Sequence, residues 1–269
     1  MNDTLRVALC QIAATGDPVR NLAAVRAEVD RAADAGARVV VFPEATMAHF
    51  GTDLSAIAEP IDGPWASAIA RIADEFDVLV VAGMFTPDGA RVRNTVIITG
   101  LGRHLGYDKI HLYDAFGYRE SDTVAPGRDC VTVTVDGVAL GIATCYDIRF
   151  PALFQRLAED GASAVLVPTS WGAGEGKADQ WEVLVRARAL DSGCWVLGCD
   201  QADPRTAGIP VQPGAPTGIG RSLVADPSGV VVARLGAEPG MLVTEIDGNA
   251  AVAARRRTGV LANRSHAVH

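Results

Sequence analysis

The stretch Val138–Pro151, VALGIATCYDIRFP, changes abruptly from an apolar run to a polar turn. The apolar run ends at Cys145, and Pro151 stands where a proline favours the first turn of a helix. A thiol between a buried strand and a helix N-terminus faces backbone N–H groups that can stabilise negative charge. The stretch therefore predicts a strand, a turn and a helix in succession. Cys145 is a candidate nucleophile, although most free cysteines are inert packing residues.

Outward from this stretch, buried strands alternate with helices along the chain. Continuous apolar runs such as 38–42 and 164–168 are typical of strands in a sheet that is covered on both faces. Residues 131–144 predict a hairpin around Asp136-Gly137, and residues 222–246 predict a three-stranded meander. We therefore predict an α/β protein in which helices cover mixed sheets.

The length and composition favour one domain. The chain has 269 residues, 49% of them hydrophobic, which is ample for a large core. No Ser/Gly linker or break in composition divides it, so we predict a single domain over residues 1–269, with a core at about 5–247 and a C-terminal tail at 248–269. Residues 109–127 show little periodicity and predict a long loop, of the kind that often carries function.

The charge and the cysteines narrow the class of protein. A formal net charge of −8 without a long basic stretch argues against nucleic acid and anionic membrane as partners. No apolar run approaches the ~20 residues that cross a bilayer, and the N-terminus lacks the pattern of a signal peptide. The five cysteines are odd in number and lie in apolar settings, which indicates reduced thiols and a cytoplasmic protein.

Three further polar residues lie at or after the ends of predicted strands. Glu44 directly follows a buried strand, Lys109 directly follows another, and Glu120 lies in the long loop after Lys109. Each alone is typical of a solvated surface group, but α/β sheets place ligands at the carboxyl ends of strands. A base beside the Cys145 thiol generates a thiolate, and a cation stabilises both the thiolate and a tetrahedral oxyanion. Together these residues predict acyl transfer without histidine.

Other motifs do not support a competing chemistry. Gly176-Lys177 lacks the flanking residues of a phosphate-binding loop, and the chain has no Gly-x-Ser-x-Gly elbow. Cys194 and Cys199 are an odd number of residues apart, so on one strand they would face opposite sides and could not share a metal. We therefore predict no metal and no cofactor. A Cys/His pair through His111 stays open, although its position beside Lys109 favours a supporting role.

Several segments resemble the signature segments of the nitrilase superfamily, the carbon–nitrogen hydrolases. The resemblance runs in order from about residue 5 to residue 247. The segments are Phe42-Pro43-Glu44, Lys109-Ile110-His111-Leu112, Cys145-Tyr146-Asp147-Ile148-Arg149-Phe150-Pro151, Trp181-Glu182 with Arg186-Ala187-Arg188-Ala189, and Gly220-Arg221-Ser222 with Asp226-Pro227-Ser228-Gly229. The resemblance implies a four-layer α-β-β-α sandwich that pairs into homodimers or higher homo-oligomers through helices on the nucleophile's side.

The same resemblance implies a role for each candidate. Cys145 is the expected nucleophile, Glu44 the general base and Lys109 the oxyanion stabiliser. The backbone N–H of Tyr146 is a second expected oxyanion donor. Glu120 matches a second glutamate that positions substrate or assists proton transfer.

Arg149 is the best indication of the substrate. It lies four residues after the nucleophile, and an arginine there could hold a substrate carboxylate in a bidentate pair. The alternative is a structural arginine paired with an acid such as Asp147. Trp171 and the loop 172–176 are expected to wall the acyl pocket, with ordinary core packing as the alternative for Trp171.

The sequence thus predicts a cytoplasmic, cofactor-free thiol amidase near the ω-amidase and deaminated glutathione amidase branch. Its expected substrate is a small linear amide with a carboxylate at its far end, such as 2-oxoglutaramate, which it converts to acid and ammonia. The motifs do not separate this activity from that of a deaminated glutathione amidase. A nitrilase, an N-carbamoyl hydrolase and a non-catalytic binding protein on the same fold are further alternatives.

Overall fold

The computed structural model of the chain describes residues 4–210 and 214–264. The helices in these ranges are α1 (Pro18–Asp34), α2 (Leu54–Ile57), α3 (Pro64–Glu75), α4 (Pro151–Glu159), α5 (Lys177–Ser192) and α6 (Gly248–Thr258). The strands are β1 (Thr4–Gln11), β2 (Val39–Val41), β3 (Leu79–Asp88), β4 (Arg91–Gly100), β5 (Arg103–Asp108), β6 (Asp114–Ala115), β7 (Tyr118–Arg119), β8 (Val124–Ala125), β9 (Thr132–Val135), β10 (Val138–Ile142), β11 (Ala164–Thr169), β12 (Trp195–Asp200), β13 (Leu223–Ala225), β14 (Val231–Arg234) and β15 (Gly240–Asp247). Short 3₁₀ helices span Glu120–Asp122, Cys145–Arg149 and Pro204–Ala207.

The strands form two mixed sheets and one small hairpin. The first sheet has the order β15-β1-β2-β3-β4-β5, with β8 paired to β4. The second sheet has the order β14-β13-β12-β11-β10-β9, and β6 pairs with β7 alone. In each sheet parallel neighbours, β1-β2-β3 and β10-β11-β12, are flanked by antiparallel strands. The predicted mixed sheets are therefore confirmed.

Alternation along each strand supplies apolar side chains to both faces of a sheet. In β1, Leu5 and Leu9 enter a core that also contains Leu140 and Leu166 of the second sheet, so the two sheets pack face to face. The opposite face of the first sheet packs under α1 and α3, and the opposite face of the second packs under α4 and α5. This is the four-layer α-β-β-α sandwich that the resemblance implies.

The predicted hairpin that precedes the Cys145 turn is confirmed. β9 and β10 are antiparallel, with Val135 opposite Val138. The two residues between them, Asp136 and Gly137, have φ values of 47° and 87°, as a tight two-residue hairpin turn requires.

The predicted C-terminal meander is wrong. β13 and β14 form a hairpin in the second sheet, but β15 crosses to the first sheet and pairs with β1, with Leu242 opposite Leu9. The segment 235–239 between β14 and β15 contains Gly236 and Pro239 and carries the chain across, which strand periodicity alone does not indicate.

Two other segments differ in detail from their predictions. The predicted loop 109–127 contains the β6–β7 hairpin, a 3₁₀ turn and β8, all too short to show a periodic pattern. The predicted tail begins with α6, which buries Ala251 and Ala254, so packed structure continues past residue 247. Within the described part of the chain, no helix is long and apolar enough to cross a membrane. Cys194 and Cys199 face opposite sides of the second sheet, as their spacing predicts.

Candidate active site

The ends of strands from both sheets meet at one cavity. Glu44 follows β2, Lys109 follows β5, and Cys145 follows β10. The structure brings to this cavity all the residues that the sequence selected, which are Glu44, Lys109, Glu120, Cys145, Tyr146, Arg149 and Trp171.

Lys109 contacts both carboxylates. Its ammonium lies 2.9 Å from Glu44 Oε1 and 2.8 Å from Glu120 Oε2, and all three side chains are at most 2% exposed. Asn94 of β4 closes the cluster, since its Nδ2 donates to Glu44 Oε1 at 2.7 Å and to Glu120 Oε1 at 2.9 Å. An ammonium has three N–H donors, so Lys109 keeps one for a ligand in the cavity.

The Glu44 carboxylate is held from several sides. Its Oε2 accepts from the backbone N–H of Ser170 at 2.9 Å, so both of its oxygens have protein partners. The backbone behind it presses against β3, because a Cβ on Gly83 would lie 2.4 Å from the nitrogen of Ala45. Ala45 itself has a φ of 56°, in the left-handed region. Glu44 is therefore fixed before any ligand arrives.

Cys145 begins the 3₁₀ turn with a strained backbone. Its φ is 46°, a conformation that costs free energy for a residue with a Cβ, and it is 7% exposed. Its Sγ lies 3.7 Å from the carbonyl oxygen of Ser170. Strain of this kind collects at functional sites. Here it turns the chain out of the sheet and leaves the thiol on the cavity wall.

Burial decides the resting protonation of the site. Burial raises the pKa of the Cys145 thiol well above its usual range, and the Glu44 carboxylate adds to the rise. Burial also raises the pKa of Glu44, although Lys109 opposes it. Burial alone would lower the pKa of Lys109, but the carboxylates of Glu120 and Glu44 outweigh it and raise that pKa well above the ordinary value. The resting site therefore holds a neutral thiol beside a permanent ammonium, and the thiol needs a base in order to react.

Asp147 organises the cysteine turn from its buried side. Its Oδ1 accepts from the backbone N–H of His111 at 2.9 Å, and its Oδ2 accepts from Tyr107 Oη at 2.6 Å and from the backbone N–H of Thr144 at 2.9 Å. The alternative that pairs Asp147 with Arg149 is therefore wrong, because the carboxylate of Asp147 already has these partners.

The His111 ring contacts Asp147 and Phe150. Its Nδ1 lies 2.7 Å from Asp147 Oδ1, and the ring stacks on Phe150 with centroids 3.7 Å apart. His111 is not among the described residues that line the cavity. A Cys145/His111 pair is therefore wrong, and the supporting position that the sequence favours is the one observed.

Arg149 lines the cavity, and no carboxylate of the described residues forms an ion pair with it. One of its terminal nitrogens donates to Gln180 Oε1 at 2.8 Å, while its buried Nε has no hydrogen-bond partner among the described residues. Its Cζ lies 5.3 Å from the centroid of the Trp171 ring and 5.8 Å from that of Tyr146. Of the predicted loop 172–176, Gly172 contributes to the lining. A planar cation between aromatic walls is suited to a carboxylate.

Sequence reasoning missed several residues of this site. Asn94 carries a weak signal, since it is a polar residue in an otherwise apolar strand. Ser170 acts through its backbone N–H, which leaves no sequence signal. Lys177, read only as part of an incomplete phosphate loop, is a second cation in the cavity lining.

The chain is similar in sequence to several known proteins. The sequence model of the carbon-nitrogen hydrolase family matches residues 6–256. A hydrolase from Mycobacterium tuberculosis is 52% identical over 268 residues, covering 97% of this chain and 96% of that protein. A chloroplastic omega-amidase from Arabidopsis thaliana is 30% identical over 96% of this chain and 71% of its own. A deaminated glutathione amidase from Escherichia coli O157:H7 is 29% identical over 97% of both chains.

Solved structures show the same architecture. Nit3 of Saccharomyces cerevisiae, described as a member of the nitrilase superfamily, superposes with a TM-score of 0.81 at 26% identity, over 95% of this chain and 94% of that one. A mutant of an amidase from Nesterenkonia superposes with a TM-score of 0.77 at 26% identity, over 95% and 98% of the two chains. In that structure acrylamide has added to the active-site cysteine.

Proposed function

Since the chain belongs to the carbon–nitrogen hydrolase family and is an amide-hydrolysing enzyme, we propose that its substrate is a small linear amide with a carboxylate at its far end. The observation that carries this proposal is Arg149, a cation in the cavity wall with a buried Nε that no described residue satisfies. A substrate carboxylate would supply both the hydrogen bonds and the charge that this guanidinium lacks. The reaction would yield the dicarboxylic acid and ammonia, as with 2-oxoglutaramate.

Acylation begins with the transfer of the Cys145 proton to Glu44. The thiolate attacks the amide carbon, and the carbonyl oxygen becomes an oxyanion. A carboxylate whose pKa is raised by burial is a stronger base than an exposed one. The bond between sulfur and carbon forms as the C=O double bond becomes a C–O single bond, and no cofactor takes part.

The oxyanion would be met by two donors. Lys109 has one N–H left after its contacts with Glu44 and Glu120, and it lines the cavity. Tyr146 follows the nucleophile at the start of the 3₁₀ turn, where the first backbone N–H groups have no partner within the turn. Donors of this kind, fixed before the reaction, stabilise the tetrahedral state more than the substrate.

Collapse of the tetrahedral state completes the cycle. Glu44, now protonated, gives its proton to the leaving nitrogen, and ammonia departs as the C–N bond breaks. A water molecule then takes the place of ammonia, loses a proton to Glu44 and attacks the thioester. The carbon–sulfur bond breaks, the thiolate recovers its proton from Glu44, and the acid leaves. Glu120 keeps Lys109 and Asn94 in place through both half-reactions.

The experiment that tests the substrate class compares ammonia release from glutaramate and from pentanamide, in which a methyl group replaces the distal carboxylate. We expect kcat/KM for glutaramate to exceed that for pentanamide by at least tenfold, and no ammonia from Cys145→Ala. Equal rates on the two amides would overturn the carboxylate assignment. Turnover by Cys145→Ala at the wild-type rate would overturn the nucleophile.

The same assay separates the neighbouring activities. The nitrile 4-cyanobutanoate and the carbamoyl compound 4-ureidobutanoate carry the same distal carboxylate as glutaramate, so they test the bond that is cleaved. Deaminated glutathione tests whether a larger amine can replace ammonia as the leaving group. Its hydrolysis releases no ammonia, so it is followed by detection of the released amine instead. We expect glutaramate or 2-oxoglutaramate to be hydrolysed faster than any of the three, and a faster rate on one of them would assign that activity instead.

We also propose that the chain forms homodimers through α5. On this helix Val183 and Leu190, one heptad apart, are 60% and 51% exposed, and the nearby Val230 is 55% exposed. The helix lies on the sheet that carries Cys145, which is the side through which the family resemblance implies pairing. A cluster of exposed apolar side chains on one surface favours a protein contact.

A further inference from the structure

The cavity lining contains a second cation besides Arg149. Lys177 is the first residue of α5 and is only 7% exposed. Its Nζ lies 3.4 Å from the centroid of the Phe116 ring and 3.4 Å from Tyr113 Oη. Its backbone carbonyl accepts from the indole N–H of Trp171 at 2.9 Å, which fixes the start of the helix against the cavity wall. The lysine is therefore held at the site and is not a mobile surface group.

Arg149 and Lys177 share the same surroundings. The Arg149 Cζ lies 5.8 Å from the Phe116 centroid and 5.3 Å from the Trp171 centroid. The Lys177 Nζ lies 3.4 Å and 5.8 Å from the same two rings. Both cations therefore line the cavity beside the same aromatic side chains.

The carboxylates of the described residues do not neutralise either cation. Among residues 4–210 and 214–264, no carboxylate forms an ion pair with the Arg149 guanidinium or the Lys177 ammonium, whereas the Lys109 ammonium contacts two carboxylates. Partial burial lowers the pKa of Lys177, and the charge of Arg149 lowers it further. Two positive charges that repel each other in a half-enclosed space would be relieved by an anion placed between them.

We propose that Lys177 and Arg149 form a dianion subsite, so that the preferred substrate is an amide whose distal end carries two negative charges. This inference rests on the proposed amidase function and specifies the charge at the distal end of its substrate. Two carboxylates on one distal carbon, or a single phosphonate or phosphate, would present the same charge to the two cations. The Arg149 guanidinium would donate a pair of hydrogen bonds to two oxygens of the dianion. The Lys177 ammonium would neutralise the second negative charge.

A purely structural reading of Lys177 makes a different prediction. If its ammonium served only to pack on Phe116, replacing it would disturb the cavity wall for every ligand alike. If it binds the second charge, the effect of its replacement depends on the charge of the ligand. Ligands matched in length and different in charge therefore decide between the two readings.

The test measures binding to Cys145→Ala by calorimetry, so it does not depend on turnover. The ligands are glutaramate, with one distal charge, 2-(2-carbamoylethyl)malonate, which adds one carboxylate to the same carbon, and 4-phosphonobutanamide at pH 8.5. We expect at least one dianionic ligand to bind tenfold or more tightly than glutaramate. Adding Lys177→Met should weaken binding of that dianionic ligand at least tenfold more than it weakens binding of glutaramate, and Lys177→Arg should restore the advantage.

Each outcome is informative. Tighter binding of the malonate alone identifies two carboxylates as the natural chemistry, and tighter binding of the phosphonate alone identifies a phosphorus oxyanion. Equal affinities for one and two charges, or a Lys177→Met effect of the same size on all ligands, would overturn the dianion subsite. Failure of the wild type to release ammonia from glutaramate would instead count against the proposed function, since the binding test does not require catalysis.

Discussion

The side-chain nitrogen of Asn94 lies 2.7 Å from Glu44 Oε1, in a cluster where the described side chains are almost wholly buried. The same nitrogen donates to Glu120 at 2.9 Å, while the side-chain oxygen of Asn94 has no hydrogen-bond partner among the described residues. An unsatisfied buried acceptor costs free energy. Asn94 is therefore placed for its two donated hydrogen bonds, which keep both carboxylates in position and favour the ionised form of Glu44.

We expect Asn94→Leu to fold and to shift the acid limb of the kcat/KM profile to higher pH. The hydrogen bond from Asn94 stabilises ionised Glu44, so its loss raises a pKa that burial already raises. Because the base must be ionised, activity should then disappear at a higher pH as the solution is acidified. One charge-assisted hydrogen bond is worth about 1.5–3 kcal/mol, so kcat/KM at pH 7 should fall by roughly 10- to 100-fold.

A matched control is Asn21→Leu, which removes another buried asparagine whose partners are Thr15 and Met47 and include no carboxylate. It should lower the free energy of unfolding and leave the pH profile unchanged. An Asn94→Leu enzyme that loses activity with the wild-type pH profile would show that Asn94 serves only in packing.

Lys109→Met should keep the fold but lose turnover. The ammonium opposes the rise in the pKa of Cys145 and offers the free N–H to the oxyanion, so its loss affects both nucleophile and transition state. Removing one oxyanion donor costs about 10²–10³ in kcat. Alkylation of Cys145 by iodoacetamide should also become slower at a fixed pH, as followed by mass spectrometry of the modified peptide. Near-normal kcat would contradict the role assigned to Lys109.

Gly83→Ala should damage the site through the backbone. A Cβ at this position would lie 2.4 Å from the nitrogen of Ala45 and 2.8 Å from the Cα of Glu44, so the loop that carries the base must move. We expect a loss of about 1–3 kcal/mol in the free energy of unfolding, measured with urea, together with a fall in kcat. Gly240→Ala is the control. A Cβ at this position would lie 3.7 Å from the nearest atom, a side-chain carbon of Leu235, so the structure should tolerate the methyl group. Equal stability of the two variants would refute the contact.

Val183→Glu should shift the protein from dimer to monomer in light scattering at micromolar concentration. The carboxylate would be buried without a partner if α5 pairs with a second copy, which costs far more than the same charge on a free surface. Val19→Glu changes a more exposed valine, 75% exposed on α1, and should leave the mass unchanged. A monomeric wild-type protein would rule out the proposed pairing.

Local sequence patterns were sufficient for most of the fold. Proline at 151 and the turn at Asp136-Gly137 fix conformations that depend on neighbouring residues, so the strand, turn and helix around Cys145 could be predicted. The partner of β15 could not, because the choice between β14 and β1 depends on the path of 235–239 and on which core accepts Leu242. Such a choice is made by tertiary packing and leaves no periodic signal.

The residues of the active site also fall into two groups, those that local sequence predicts and those that only tertiary packing brings to the site. Glu44, Lys109 and Cys145 could be proposed because each stands at the end of a strand in a segment that resembles a family signature. Lys177 could not be proposed from sequence, because a lysine after a glycine-rich loop is ordinarily exposed. Its place at the cavity depends on packing against Trp171. Interactions that rest on backbone groups, such as the N–H of Ser170, are invisible in the side-chain sequence.

Arg149→Met should separate the recognition of charge from the chemistry. The methionine keeps much of the side-chain volume between Trp171 and Tyr146 but loses the guanidinium, so glutaramate should lose about 10- to 100-fold in kcat/KM, mainly through KM. Pentanamide has no carboxylate for Arg149 to bind, so its kcat/KM should change by less than threefold. Arg149→Lys retains the charge without the planar pair of donors and should recover part of the glutaramate activity. Steady-state ammonia release from both amides measures the difference, and an equal loss on the charged and the neutral amide would assign Arg149 to holding Gln180 and the cavity wall instead of the substrate.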